Sequence, residues 1–225
     1  MKAILIRVGA DTKSTGSLGP IFDNDTFEFV PIPEDKTSKE NRRYNNTKGG
    51  CGKYYSYFVD EQIRNEKMHF DPEFKTFTYG DHTKKVGSKF LEGDYLVFYA
   101  GLKPYESNKQ RKGLFIIGYF KIDRIFKYKD LKNEKFVKIL KNNAHIKCKK
   151  GERDTIIIKG HPNESKLLEK AIRISDYDKN YCYASKTFSK LIDKPIRYNM
   201  MRSKPRTVLG KHAEKLIKFI KIKKL

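Results

Sequence analysis

The sequence contains no tryptophan, only three cysteines and no long apolar run. The cysteines, Cys51, Cys148 and Cys182, are scattered and odd in number, which argues against a disulfide framework and for a reducing, cytoplasmic location. No apolar segment approaches the roughly twenty residues that a membrane-spanning helix needs, so we expect no membrane partner. The short apolar stretch at the start meets Arg7 and Asp11 too soon for a signal peptide and predicts a first strand instead.

Common signatures of catalysis and cofactor binding are also absent. The sequence has no P-loop, no GxGxxG, no GxSxG and no HExxH. It has no CxxC pair and no clustered Cys/His spacing that would indicate a structural zinc site. We therefore predict no cofactor and no bound metal, and the motifs leave enzymatic activity open.

Acidic residues are scarce relative to basic ones. The chain carries 49 Lys+Arg against 27 Asp+Glu, a formal net charge of +22. A positive field of this size attracts polyanions, so we predict a nucleic-acid partner, either DNA or RNA. One alternative is that a genome bias toward Lys, Ile, Asn and Tyr produces the charge, in which case the chain is a protein-interaction subunit. The oligomeric state stays open.

The 225 residues are enough for one substantial domain, and their apolar residues come in clear blocks. We predict an α+β fold, a single mainly β domain with peripheral helices and a basic helical extension at about residues 194–225. Strands are predicted at residues 3–8, 27–30 and 155–158, with an aromatic alternating segment at 54–59. Helices are predicted at residues 131–141, 164–172 and 208–222.

A β-hairpin is predicted at residues 93–126, where two apolar, aromatic-rich strands flank a polar basic loop. Period-two alternation separates the first strand into two faces: Leu96, Phe98 and Ala100 on one, and Tyr95, Val97 and Tyr99 on the other. The second strand alternates likewise, with Ile116, Gly118 and Phe120 opposite Ile117 and Tyr119. Tyrosines near the strand ends are candidates for stacking on an unpaired base, although such rings also commonly fill a core. These candidates are Tyr99, Tyr105 and Tyr119.

The hairpin segments GDYLVFYAGL and GLFIIGYFKIDRIF resemble the central hairpin of the PUA-like superfamily, which includes ASCH, EVE and YTH domains. The blocks ILIRVGADTKSTGSLGPIFDNDTFEFVPIPE, HFDPEFKTFTYGDH, GHPNESKLLEKAIRIS and MRSKPRTVLG are similar to the nucleotide modification associated domain 3 family. These blocks cover most of the chain. The first resemblance implies a compact β-barrel that binds RNA or modified bases. The second implies association with DNA or nucleotide modification systems and supplies no catalytic mechanism.

The candidates for polar chemistry lie in the segment TYGDH, with further acid–base side chains a few residues earlier. Histidine and aspartate are the residue types used for proton transfer or cation binding. An enzyme would place them around a substrate or a divalent ion, with Gly80 permitting the necessary bend. The alternative is a turn held by the Asp81 carboxylate. The candidate residues are His69, Asp71, Asp81 and His82; a turn role is favoured for Asp11.

Basic residues of three segments are predicted to contact phosphates: the loop at 42–53, the loop at 103–112 and the region 194–225, which holds eleven Lys and Arg and a single acid. They are Arg42, Arg43, Lys103, Lys109, Arg111, Arg197, Arg202, Lys204 and Arg206. Tyr79 is a further base-contact candidate. The start of the predicted helix at 164 offers a weaker anion site near Lys159 and Lys166, which Glu164 opposes.

Two functions follow. The favoured one is a nucleic-acid-binding module whose aromatic pocket recognises a base, modified bases included, while basic loops hold phosphates. The alternative is an enzyme that modifies or hydrolyses nucleotides or nucleic acid through the histidine and aspartate group.

Overall fold

The computed structural model describes residues 1–81, 90–106, 109–127, 131, 138–148, 155–178, 181–200 and 204–223. The predicted site residues His82 and Arg202 lie outside the described residues, as does most of the helix predicted at 131–141. The strands are β1 Lys2–Arg7, β2 Gly19–Ile21, β3 Ile32–Pro33, β4 Met68–His69, β5 Thr78–Asp81, β6 Tyr95–Pro104, β7 Gly113–Lys127, β8 Ile156–Gly160, β9 Lys166–Arg173, β10 Ser175–Asp178, β11 Tyr181–Ala184 and β12 Arg206–Leu209. The helices are α1 Ala144–Lys147, α2 Lys186–Leu191 and α3 Gly210–Ile222, with short 3-10 helices at Tyr55–Phe58 and Glu61–Ile63.

Strands dominate the structure, as predicted, and most of them join one eight-stranded sheet in the order β12-β1-β6-β7-β8-β5, with β2 paired to β6 and β9 to β7. The central hairpin β6–β7 is antiparallel, whereas β1 and β2 both run parallel to β6. Within the described residues this path ends at β12 and β5 and does not close on itself. The mainly β, α+β class is therefore confirmed, and the barrel is not.

The hairpin prediction is confirmed, with one correction on its second strand. Alternation along β6 places Leu96, Phe98 and Ala100 in one core cluster and Tyr95, Val97 and Tyr99 in another, as predicted. On β7, Ile116 and Tyr119 share one cluster, while Ile117 and Phe120 share the other. The prediction that Ile116 and Phe120 face the same side of the sheet is wrong. The register between β7 and β9 shifts between Ile116 and Gly118. A bulge reverses the alternation beyond it.

Helix α3 covers one face of the sheet. Its buried residues Ala213, Leu216, Ile217 and Ile220 recur at the helical spacing that the sequence predicts. Leu209, which lies within the helix predicted at 208–222, is 61 % exposed and belongs to β12. None of the described helices has the length and apolar character that crossing a membrane requires.

The helix predicted at residues 164–172 is wrong, because this segment is strand β9. Its backbone pairs with β7, with Lys166 opposite Tyr119 and Arg173 opposite Phe115. Ladder hydrogen bonds and burial against the sheet outweigh the local helix signal. The predicted anion site therefore has no helix start to form it, and the Glu164 carboxylate accepts from Lys121 Nζ at 2.7 Å.

The strand predicted at residues 27–30 is wrong, because the chain there serves a third, smaller core under the loops. Phe27 makes an isolated bridge to Ile21, and none of the named strands covers residues 27–30. The aromatic segment at 54–59 contains the 3-10 helix Tyr55–Phe58. The polar segment between β3 and β4 folds over this core: Tyr44 is fully buried, and its hydroxyl donates to the Pro31 carbonyl at 2.8 Å. The buried Glu40 carboxylate accepts from Lys147 of α1 and from Arg42. These contacts fix the position of β3 and β4.

Candidate functional site

A cavity of about 330 Å³ lies where β1 ends, beside β3, β4 and β5. Its lining combines a cation, carboxylates, an imidazole and an aromatic ring, contributed by Arg7, Val8, Gly9, Asp11, Ile32, His69, Asp71 and Tyr79. Gly9 turns the chain there with φ of +78°, and an added Cβ would lie 2.9 Å from the Phe29 ring. That backbone geometry favours glycine, and the absence of a Cβ leaves room for the Phe29 ring.

Strand pairing brings His69 to the cavity. Ile32 of β3 pairs with His69 of β4, which places Glu34, one residue beyond β3, beside the imidazole. His69 Nδ1 lies 3.1 Å from Glu34 Oε2, and both side chains are largely buried. Burial opposes a charge on the imidazole, but the hydrogen bond to Glu34 and the charges of Asp71 and Glu34 outweigh it and raise the pKa of His69.

Asp71 and His145 form a second pair next to His69. The Asp71 carboxylate accepts from the Gly80 backbone N–H at 2.9 Å through Oδ1, and its Oδ2 lies 3.3 Å from His145 Nε2. His145 sits in the first turn of α1, where the Asn143 side chain caps the helix by accepting from His145 N. The His145 ring packs against Gly80, where an added Cβ would lie 1.9 Å from His145 Cδ2.

The three side chains form one compact polar group. The rings of His69 and His145 are 5.0 Å apart and nearly perpendicular. One ligand-type atom from each of His69, Asp71 and His145 lies within 4.8 Å of the others. An imidazole beside a carboxylate is suited to moving a proton, and two imidazoles with a carboxylate are suited to holding a cation.

Two further lining residues flank this group. Burial raises the pKa of the Tyr79 phenol well above its usual value, and the charges of Asp71 and Asp81 act in the same direction, so the hydroxyl is neutral. The Asp11 carboxylate accepts from the backbone N–H groups of Lys13 and Ser14 at 2.9 and 2.7 Å. Asp11 therefore holds the turn favoured for it and also lines the cavity.

The structure brings together only part of the predicted acid–base set. Of that set, His69 and Asp71 meet at the cavity, where the base-contact candidate Tyr79 joins them, whereas Asp81 is 7 % exposed at the end of β5 and does not line it. The sequence analysis did not identify His145, Glu34 or Arg7. No local motif marks them, since α1 and β3 approach the site only through tertiary contacts.

The tyrosine candidates divide into buried and accessible rings. Tyr99 is fully buried and Tyr119 is 4 % exposed, both in the core beneath α3. Tyr105 instead borders a second cavity, of about 140 Å³, together with Lys103 and Tyr57. Tyr57, which the sequence analysis did not identify, is 65 % exposed. The described structure thus leaves Tyr79 and Tyr105 next to cavities and places Tyr99 and Tyr119 in the core.

The predicted phosphate contacts also divide. Four of the arginines make intramolecular contacts. Arg42 donates to the Glu40 carboxylate and lies 3.6 Å over the Phe70 ring, and Arg197 lies 4.4 Å over the Tyr183 ring. Arg43 donates to the Asn65 carbonyl at 2.6 Å, and the buried Arg206 donates to the Tyr99 hydroxyl. Others are exposed, namely Lys103, Lys109, Arg111 and Lys204. None of these residues lines the larger cavity, where the cation is Arg7.

Comparison with known proteins gives one finding. Comparisons with curated proteins and with solved structures give no significant match. Residues 2–207 match the profile of nucleotide modification associated domain 3, which includes every lining residue of the larger cavity and ends before α3. The name of this family associates it with nucleotide modification. The chain belongs to the nucleotide modification associated domain 3 family.

Proposed function

We propose that this protein binds nucleic acid and holds one nucleotide unit in the larger cavity. The single observation that carries the proposal is the convergence of Arg7, His69, Asp71 and Tyr79 on a space of about 330 Å³. Ligand pockets are typically about 300–1,000 Å³ and combine apolar walls with a few placed polar groups. A guanidinium is suited to a phosphate, and a ring beside hydrogen-bonding groups is suited to a base.

The surrounding charge supports a polymer over a free nucleotide. The net charge of +22 accelerates encounter with a polyanion, and exposed cations outside the cavity are available for phosphates along a strand. In this proposal Tyr79 contacts the base, whereas the other candidates Tyr99 and Tyr119 are buried in the core. The proposal includes a PUA-like relationship and the recognition of a modified base. It covers both DNA and RNA as the bound polymer.

The test is fluorescence anisotropy with labelled single-stranded DNA and RNA oligonucleotides at low salt. We expect binding that weakens steeply with salt, and an Arg7→Gln variant that loses about tenfold in affinity, equivalent to roughly 1.4 kcal/mol. Arg124→Gln is the matched control, because Arg124 is exposed on β7 and does not line the cavity. The substitution removes the same charge as Arg7→Gln. Absence of binding to either polymer, or equal losses in the two variants, contradicts the proposal.

The acid–base group favours a second candidate, an enzyme that acts on the bound nucleotide. Its specific support is that His69 and Asp71 line the cavity and His145 contacts Asp71 at 3.3 Å. Incubation with DNA and RNA oligonucleotides followed by mass spectrometry of the digested nucleosides tests it. We expect His69→Ala to abolish any conversion while anisotropy shows retained phosphate-driven binding. Conversion that persists in this variant excludes His69 as a catalytic residue.

A further inference from the structure

We propose that His69, Asp71 and His145 bind one divalent transition-metal cation in the wall of the larger cavity. The inference rests on the proposed function in one respect: the molecule beside the cation is taken to be the bound nucleotide. The binding of the cation itself rests only on the geometry of the three side chains. The sequence analysis predicted no metal, because the ligands are separated by up to 76 residues and follow no known motif.

The distances suit one ion. Metal bonds of about 2.0–2.2 Å to nitrogen and oxygen place neighbouring ligand atoms roughly 3–3.5 Å apart. His145 Nε2 and Asp71 Oδ2 are already 3.3 Å apart, and the atoms of all three residues lie within 4.8 Å. The remaining separations, at most 4.8 Å, exceed this range by about 1.5 Å or less.

Two of the three ligands, His69 and Asp71, have an outer partner that orients them. Glu34 contacts His69 through Nδ1, which leaves Nε2 as the free coordinating atom of that ring. The Gly80 N–H holds Oδ1 of Asp71, so the other carboxylate oxygen points to His145. Carboxylates and backbone groups in these positions fix the ring orientation and basicity of metal ligands and commonly affect metal affinity 10–100-fold.

The donor set selects the class of cation. Two imidazoles and one carboxylate favour Zn²⁺, Fe²⁺, Co²⁺ and Mn²⁺ over Ca²⁺ and Mg²⁺, which prefer oxygen ligands. Three protein ligands leave coordination positions open to water or to a substrate atom. His69 and Asp71 line the cavity, so these open positions face the space proposed for the nucleotide. The competing explanation is a purely structural Asp71–His145 hydrogen bond, for which no cation affinity is expected.

Titration of the metal-free full-length chain with Co²⁺ and Zn²⁺ tests the inference. After treatment with EDTA and its removal, we expect one Co²⁺ per chain with visible ligand-field absorption, and displacement by Zn²⁺. His145→Ala is expected to lose more than about 100-fold in affinity, beyond the 10–100-fold typical of an outer partner. His212→Ala is the matched control, because His212 lies on α3 and contacts the Leu191 carbonyl. Wild-type protein that binds no Co²⁺, or equal affinity in the two variants, overturns the proposal.

Two further measurements keep the result interpretable if His145→Ala is poorly folded. Glu34→Gln retains the size of the outer partner and removes its charge, and we expect a loss of about 10-fold or more in Co²⁺ affinity at unchanged stoichiometry. In the wild type, diamagnetic Zn²⁺ is expected to shift the imidazole NMR signals of His69 and His145 and to leave those of His161 and His212 in place. Unshifted signals of His69 and His145 would overturn the assignment even if the protein binds Co²⁺.

Cation binding and oligonucleotide binding are measured separately, so either proposal can fail alone. Oligonucleotide anisotropy is measured both in EDTA and in Zn²⁺. Oligonucleotide binding without any Co²⁺ binding overturns the proposed cation site and leaves the proposed function standing. Co²⁺ binding without any oligonucleotide binding leaves the cation site standing and overturns the proposed function.

Discussion

Gly80→Ala should reveal how tightly His145 is held against β5. The backbone at Gly80 lies outside the left-handed region that favours glycine, so alanine is acceptable there on conformational grounds. The obstacle is the His145 ring, since the new Cβ would lie 1.9 Å from Cδ2 and 2.6 Å from Nε2. Relief requires the ring to move away from Gly80 and therefore from the Asp71 carboxylate, which it approaches to 3.3 Å.

The size of the effect follows from two opposing contributions. Overpacking in a fixed environment costs about 1–3 kcal/mol. Replacing glycine by alanine at a compatible backbone geometry gains about 0.4–1 kcal/mol through the unfolded state. We therefore expect Gly80→Ala to lower the free energy of unfolding by about 1–2 kcal/mol. The displaced ring should also weaken Co²⁺ binding.

A double-mutant cycle isolates the contact. In the His145→Ala background the ring is absent, so the Gly80→Ala change should keep only the gain of about 0.4–1 kcal/mol through the unfolded state and give a coupling energy of about 1–3 kcal/mol. Urea unfolding followed by circular dichroism measures all four proteins, and Gly50→Ala serves as the control because its Cβ meets only one atom, at 3.7 Å. An equal cost of Gly80→Ala in both backgrounds would refute the packing of His145 over Gly80.

Two other predictions concern stability. Burial raises the pKa of Glu40, but hydrogen bonds from its cationic partners outweigh it and lower the pKa from 4.5 to about 2. Glu40 therefore contributes about 3 kcal/mol that is present above pH 4.5 and is lost as the pH falls toward 2. Urea unfolding across this range should show that Glu40→Gln removes this part of the pH dependence, while the exposed Glu92→Gln retains it; equal profiles would contradict the assignment. Tyr99→Phe should cost about 1–2 kcal/mol in urea unfolding, because the buried Arg206 loses one of its acceptors. Tyr57→Phe, on a side chain that is 65 % exposed, should change little, and similar losses in the two variants would exclude a specific role for the Arg206 bond.

Much of the fold could be predicted because its main strands have strong periodic patterns. Alternating apolar residues at 95–100 predict both faces of β6, and their period of two matches the pleat. The segment at 164–172 shows where such reasoning fails. Its apolar spacing suits a helix, yet its backbone completes the ladder of β7, and local sequence carries no information about that partner.

The candidate site was predictable only in part. His69, Asp71 and Tyr79 belong to neighbouring segments rich in histidine, aspartate and aromatics, and this composition marks them for polar chemistry. Asp81 belongs to the same segment but stands outside the cavity, because backbone direction at the end of β5 decides which side chains reach it. Charge shows a similar division: Arg206 was expected at the surface but donates to Tyr99 inside the core.

The sequence by itself determined the strand-rich class, the central hairpin, the positive charge and the family, because these depend on composition and on patterns between near neighbours. Only the tertiary structure decided that Arg7 joins His69 and Asp71 around one cavity, and that Glu34 and His145 contact these two side chains. His145 lies 74 positions from Asp71 in the chain. Contacts at such separation depend on how sheet and loops pack as a whole, so no local pattern records them.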